Sequence, residues 1–319
     1  NIIIKKLTDP SGIVEKSPYK WNNSCESHIF LIGEYKMNSG FIDAALSAFF
    51  LVNATTHQGL YGFGVDPTSA SFYRMLLAIP LNIWLIRRNN DKLILSKKQT
   101  ILLAVDGFLL SAMNIMLYSP YLYMDSGVST VVHFMYPIMV FILSLIIYKQ
   151  PATKVEYLAI LTSTIGMLLM YDPSAEISLK GFLLAFASAI IFLIYSISLG
   201  TPTAKEVTTL QQTLYISFFG AITGFLYASI FNNGLFIPNN PGELGWLFLY
   251  SFYLTFLCTY LLQRAIGKIG PRKTAMLSTL EPVVSIFVGL IFLSESMTFI
   301  QGIAVILIIG SGLLLTFTI

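Results

Sequence analysis

Two charged residues, Arg74 and Glu281, stand inside long apolar stretches of this chain. A charged side chain at membrane depth costs about 2.5–3.5 kcal/mol on insertion scales and as a rule faces a bundle interior. Arg74 lies six residues past Thr68, roughly 9–10 Å along a helix rising 1.5 Å per residue. Its planar fork would clamp an anion or carboxylate there. The competing readings are a structural ion pair and a side chain snorkelling to the nearer surface. Glu281 stands seven residues past Thr274; it reads as a proton-coupling group, an amine ligand, or a packing carboxylate bonded to a neighbouring helix. His57 and His133 could shuttle protons, or be hydrogen-bonded interior groups. Asp106, Asn53 and Asn114 are further interior polar residues, and Asp106 and Asn114, eight apart, fall on nearly one helix face. Tyr136, Tyr195 and Tyr260 fall towards mid-stretch and could line a cavity for an amphipathic or aromatic solute. Tyr118, Tyr121 and Tyr123 read instead as an interfacial aromatic belt.

Other chemistries lack their residues. Cys25 and Cys258 make no disulfide framework. The Cys25-x-x-His28 pair lacks the four ligands of a structural zinc site, and His57 and His133 have no carboxylate at metal spacing, so no metal is expected. Gly59, Gly62 and Gly64 do not have the spacing of a dinucleotide loop, and no Walker motif points to ATP. No cofactor is expected. No basic stripe of the nucleic-acid type is present.

Composition says what must position these groups. Of 319 residues, 55% are apolar and 11% charged, with a net charge of +3 and a mean hydropathy of +0.73. A soluble domain carries about 25% charged residues, so this chain cannot cover a soluble surface. An ordinary cytoplasmic enzyme and a disordered regulator are excluded. From Phe41 onward ten apolar runs follow one another: Phe41–Gly62, Thr68–Ile86, Thr100–Tyr118, Val128–Tyr148, Val155–Met170, Gly181–Leu199, Thr209–Phe231, Gly242–Leu262, Thr274–Leu293 and Phe299–Thr318. About 20 residues of helix cross a bilayer. The runs do not alternate as barrel strands do, and helices satisfy their own backbone in lipid.

Twelve Lys and Arg fall in the even-numbered connections: Arg87, Arg88, Lys92, Lys97 and Lys98; Lys149 and Lys154; Lys205; and Arg264, Lys268, Arg272 and Lys273. The odd-numbered connections hold only Lys180. The positive-inside rule makes the even-numbered side cytoplasmic. Both ends are then cytoplasmic, which requires an even number of spans. The expected location is integral to a membrane, read as a bacterial inner (plasma) membrane. Residues 1–36 hold five Lys and no apolar core of a secretory signal. They read as a flexible extension outside the core, or as upstream sequence that is not natively translated. The competing reading is a short amphipathic surface helix carrying the clusters Ile2–Ile4 and Phe30–Ile32.

An internal repeat runs at an offset of 145 residues. Tyr136-Pro137 aligns with Glu281-Pro282, and Thr153–Met170 with Thr298–Leu315; Ala159 matches Ala304, and Leu168-Leu169 matches Leu313-Leu314. The repeat divides the ten runs into residues 37–171 and 172–319. Five spans per half invert one half relative to the other, a pattern of transporters that alternate between states open to each side. Pro137 and Pro282 lack an N–H, so both are read as kinks that free the carbonyls of His133 and Ser278.

The stretch Ser129 to Pro137, leading to Lys149-Gln150, and the stretch Thr274-Ala275-Met276-Leu277-Ser278-Thr279-Leu280-Glu281-Pro282, leading to Leu293-Ser294-Glu295, resemble the drug/metabolite transporter superfamily, EamA type. The second copy matches the small-residue, Glu-Pro, terminal-Glu pattern. The first departs from it with Tyr136 before the proline and Gln150 at the terminal-Glu place. Arg74 matches an Arg often found in the family's first half. The resemblance covers Met37 to Ile319. It implies an all-α integral membrane protein of ten helices, two inverted five-helix repeats around a central cavity, working by alternating access.

The expected function is a secondary transporter (a permease acting as exporter or exchanger) of small organic metabolites such as amino acids. Its partners would be the solute, protons as coupling ion, and the bilayer. The solute pocket is expected at Arg74, His133, Tyr136, Tyr260 and Glu281, with Asn53, His57 and Asp106 behind them. A channel or facilitator is the alternative. A receptor would need long loops, and an embedded enzyme a cluster of His, Asp or Cys at one face; neither feature is present.

Overall fold

A computed structural model of the chain describes residues 39–50, 64–149, 151–171, 177–232, 234–292 and 297–316. The described residues of 37–319 belong to one compact unit, and all of its regular structure is helical. The expectations for residues 1–36, Asn53, His57, Gln150, Ser294 and Glu295 fall outside the described residues.

The helices are α1 (Ser39–Phe50), α2 (Pro67–Leu76), α3 (Ile79–Arg88), α4 (Lys97–Tyr118), α5 (Ser126–His133), α6 (Tyr136–Tyr148), α7 (Lys154–Leu169), α8 (Leu179–Leu199), the one-turn α9 (Pro202–Lys205), α10 (Thr209–Phe231), α11 (Pro241–Ser251), α12 (Tyr260–Ser278), α13 (Glu281–Phe292) and α14 (Phe299–Thr316). Seven helical stretches among the described residues are long and apolar enough to cross a membrane. Their outward faces carry side chains such as Ile146 and Ile306, 65% and 72% exposed. A bilayer is the solvent that tolerates such a surface, so the chain is an integral membrane protein.

The element boundaries are written in the sequence. Ser96 with Gln99, Thr153 with Glu156 and Thr208 with Gln211 form capping boxes that open α4, α7 and α10, each satisfying otherwise orphaned backbone donors. Asp66 opens α2 by accepting from the Thr68 and Ser69 amides at 2.9 and 3.1 Å. Proline sets three interior breaks. The chain leaves the helix at Leu77–Ala78, at Phe134–Met135 and at Thr279–Leu280, and restarts with Pro80, Pro137 and Pro282 in the next first turn. A proline there lacks the N–H that a continuous helix would need.

The sequence reading placed Arg264, Lys268, Arg272 and Lys273 in a connection. The turn is there but short: α11 continues through a π-helical stretch, Phe252–Thr259, into α12, which carries Arg264 and Lys268 before the break and Arg272 and Lys273 after it. The turn is made at one residue, Gly270, with φ 82° and ψ 163°, a conformation that suits a residue without Cβ. Pro271 then restarts the helix.

The packing is close where side chains are smallest. α4 packs along α10 and α8, and α7 packs along α14. A Cβ on Gly107 would lie 2.7 Å from the Ile216 carbonyl oxygen, and one on Gly166 would lie 3.0 Å from that of Ala304. Backbones therefore touch at both places, which is what small residues permit between membrane helices. Gly220 and Gly224, the spaced pair on α10, face Gly107 and the Phe72 backbone in the same way.

At the Lys- and Arg-rich end the charges pair. Asp43 on α1 accepts from Arg264 Nε and Lys268 Nζ, both at 2.8 Å, and closes a second bond with the Arg264 guanidinium. Arg272 lies 3.2 Å from Glu156, joining α12 to the start of α7. A cavity of about 810 Å³ opens at this end, lined among others by Ser144, Thr153, Glu156, Lys205 and Arg272.

Candidate functional site

Arg74 is 3% exposed, and its whole fork is engaged. Nε donates to Thr255 Oγ1 at 3.2 Å. One terminal nitrogen donates to Asn114 Oδ1 at 3.0 Å and to the Tyr118 hydroxyl at 3.4 Å. The other donates to Thr259 Oγ1 at 2.8 Å and to the Leu254 carbonyl at 3.3 Å. The Arg74 carbonyl in turn accepts from Ser251 Oγ and Thr255 Oγ1 at 2.7 and 2.9 Å. Every one of these partners is neutral. The side chain neither snorkels nor takes one of these bonds from a carboxylate. It is held across the bundle between α4 and the π-helical stretch, a geometry that recurs at functional sites. Its bonds to Tyr118 and Leu254 are the longest.

Tyr118 corrects the sequence reading. It is not part of an interfacial belt but 1% exposed and bonded to Arg74. The other cluster members missed in the sequence are Ser251, Thr255 and Thr259. Their signal was available, a hydroxyl every four residues, which places all three along one side of a helix.

Glu281 opens α13 and is half-buried. It lies within electrostatic range of the Tyr118, Tyr121, Tyr136 and Tyr253 hydroxyls and of Cys258. The proline break before α13 puts it there: the interruption at Thr279–Leu280 swings the next turn towards the tyrosines. Tyr118 and Cys258 stand in range of Arg74 as well. A fixed cation and a carboxylate thus border one tyrosine-rich region.

His133 ends α5. Its Nδ1 lies 2.8 Å from Ser188 Oγ on α8, and its ring sits 5.2 Å from that of Tyr136 and 5.7 Å from that of Phe192. Tyr136 packs edge-on to Phe192 at 4.6 Å and turns its hydroxyl towards Ser278. Of these two, Tyr136 is the one in electrostatic range of Glu281. Tyr260 does not join them: it stacks on Phe256 at 5.7 Å and lies under Arg264, close to the paired charges at the basic end. Asp106 is buried on α4, the helix that supplies Asn114 and Tyr118, but stands eight and twelve residues before them, more than two and three helical turns away.

A family model described as the EamA-like transporter family matches residues 38–172 and again residues 179–317. The "Uncharacterized transporter YyaM" of Bacillus subtilis (strain 168) is 27% identical over 160 residues, 48% of this chain and 52% of that protein. The aligned part thus spans about half the length of that curated relative. A solved structure described only as "Crystal structure of protein" superposes with a TM-score of 0.74 at 15% identity, over 88% of this chain and 96% of its own. That likeness is one of fold.

Proposed function

The chain belongs to the EamA-like transporter family, and on that premise we propose that it is a secondary transporter of small zwitterionic metabolites such as amino acids. Arg74 receives the solute carboxylate, and Glu281 receives the ammonium group. Tyr118, Tyr136 and His133 form the wall between them. The observation that carries this reading is the buried Arg74 fork, whose five hydrogen-bond partners are all neutral. A cation held so deep without a compensating bond from an acid is costly, and a solute carboxylate would compensate it with charge-assisted bonds.

In this reading the shorter helices also span the membrane. Ten spans form two inverted halves that rock around the site, with both chain ends on the basic, cytoplasmic side of a bacterial inner membrane. Support comes from recurrence at the 145-residue offset. The helix restarts at Tyr136 and at Glu281, and the Thr153–Glu156 cap has a counterpart in Thr298 and Gln301, where the Thr298 amide donates to Gln301 Oε1 at 2.9 Å. Halves built alike give two nearly equivalent states, one open to each side. The 810 Å³ cavity at the basic end is where a solute would enter from the cytoplasm.

The test is uptake by the purified chain in proteoliposomes, offered pooled labelled amino acids and other small metabolites with and without an imposed pH gradient. Saturable accumulation of an amino-acid pool that follows the gradient is expected. Saturable flux indifferent to the gradient would make the protein a facilitator. Single-channel currents would replace the transporter reading with a channel.

A further inference from the structure

Asp106 is 0% exposed, and neither of its carboxylate oxygens takes a hydrogen bond among the described residues. Its surroundings are enclosed. The next residue, Gly107, brings the α4 backbone against that of α10, where an added Cβ would meet the Ile216 oxygen at 2.7 Å and the Gly220 nitrogen at 2.9 Å. On the α8 side stand Ser198, close enough to interact with the carboxylate, and Tyr195. The Tyr195 hydroxyl accepts from Gln263 Nε2 at 3.0 Å, and Gln263 Oε1 accepts from Thr213 Oγ1 at 2.6 Å. That chain fixes the amide and leaves Tyr195 its own proton to donate. On α10, Ser217, the residue after Ile216, is a buried hydroxyl with no partner among the described residues.

Neutralisation by the protein is not at hand from the helices packed on α4. Arg74 on α2 is committed to Asn114, eight residues away and about 12 Å along the helix. Tyr73 donates to the Phe236 carbonyl and Tyr215 on α10 to the Leu93 carbonyl. His133 on α5 is bonded to Ser188. Lys180, at the far end of α8, is bonded to Tyr123, and Glu206, after α9 with its Lys205, accepts from Gln99. A bare carboxylate in such a place is costly unless something positive joins it.

We propose that Asp106 is the coupling-cation site, taking up one monovalent cation, a proton or a sodium ion, separately from the solute site at Arg74 and Glu281. Tyr195, Ser198 and Ser217 supply the neutral oxygens around it. The inference rests on the transporter reading and removes Glu281 from the coupling role, leaving it to the solute.

The test needs no knowledge of the solute. The folded chain in detergent is treated with dicyclohexylcarbodiimide, an apolar reagent that adds to protonated carboxyl groups, and the modified peptide is found by mass spectrometry. We expect an adduct on Asp106, absent from Asp106→Asn and retained in Glu281→Gln. Labelling that falls as pH rises, indifferent to sodium, identifies a proton; labelling suppressed by sodium at fixed pH identifies sodium. No adduct on Asp106, or one insensitive to both, overturns the proposal.

A flux arm separates the two readings. With a gradient of about one pH unit, one coupled proton supports up to about tenfold accumulation. Asp106→Asn should erase that dependence and Asp106→Glu should keep part of it. Accumulation by Asp106→Asn that still follows the gradient sinks the proposal. Were the unmodified chain to move no pool at all, the transporter reading would fail, and the labelling alone would still decide whether Asp106 takes a cation.

Discussion

The basic end and the interior of this bundle treat charge in opposite ways. At the end, Asp43 is 2% exposed yet bound by both Arg264 and Lys268, and Glu156 is bound by Arg272. In the interior, Arg74 is surrounded by hydroxyls, an amide and a carbonyl, and Asp106 accepts nothing among the described residues. Paired charges hold helices together and leave little for a ligand to gain. Unneutralised ones cost stability at every moment they stand empty, and such a cost persists where a ligand meets it. On the proposed function, the contrast separates the charges that build this protein from those that would operate it.

The sharpest way to break the contrast is Arg74→Lys. The ammonium keeps the charge but cannot reach Thr255, Asn114 and Thr259 as one planar fork. Saturable uptake should fall about 100-fold, equivalent to about 2.7 kcal/mol, with the thermal unfolding midpoint nearly unchanged. Full uptake in that variant would make Arg74 a strut. Asp43→Asn is the mirror experiment. Arg264 and Lys268 are 38% and 36% exposed in their side chains and can return to water, which limits the loss. Stability should drop by about 2 kcal/mol, read as a lower unfolding midpoint in detergent, while uptake per folded molecule holds. Lost uptake at full stability would blur the two regions.

Third in size is Glu281→Gln. The amide still fits among Tyr118, Tyr136 and Tyr253 but no longer attracts an ammonium group. Uptake of zwitterions should fall about tenfold, or about 1.4 kcal/mol, and uptake of simple carboxylates should fall less. Equal losses for both would take Glu281 out of the solute site.

How much of this was legible in the sequence depended on chemical contrast. Arg74 and Glu281 stand out because a charge among apolar residues is rare. The helical fold followed from apolar runs, and the breaks at Pro137 and Pro282 from the missing N–H. Tyr118, Thr255 and Thr259 did not stand out, since tyrosine near a helix end and threonine within one are common; only their convergence on Arg74 gives them meaning. The four cations from Arg264 to Lys273 read as a connection because a basic run in an apolar chain seemed to need water. Helix runs up to and away from the Gly270 turn, and Asp43 and Glu156, 221 and 116 residues away from Arg264 and Arg272, meet the charges on its two sides. Such distant partners leave no local trace. Asp106 was legible as a polar residue, but not its isolation, which depends on α10 closing against Gly107.

The smallest effect is expected at Glu156, and it tests whether an end charge does more than join helices. Glu156 has two tasks: its carboxylate accepts from the Thr153 amide at 2.8 Å, capping α7, and it pairs with Arg272. Glu156→Gln separates them, because a glutamine can close the same capping box but carries no charge. The second half of the chain has already made this choice: Gln301, at the matching position, caps α14 with Thr298. Arg272 also keeps its place 5.9 Å over the Phe141 ring. The glutamine oxygen can still accept from Arg272, so the variant should lose only part of the pair, about 1 kcal/mol, and, with the side chains 15% and 2% exposed, the loss should change little with salt. Thr153→Ala, which breaks the cap and spares the charge, should cost about 1 kcal/mol at any salt. If Glu156→Gln cost several times more, the basic end would depend on that one charge and not on the cap and the aromatic contact of Arg272.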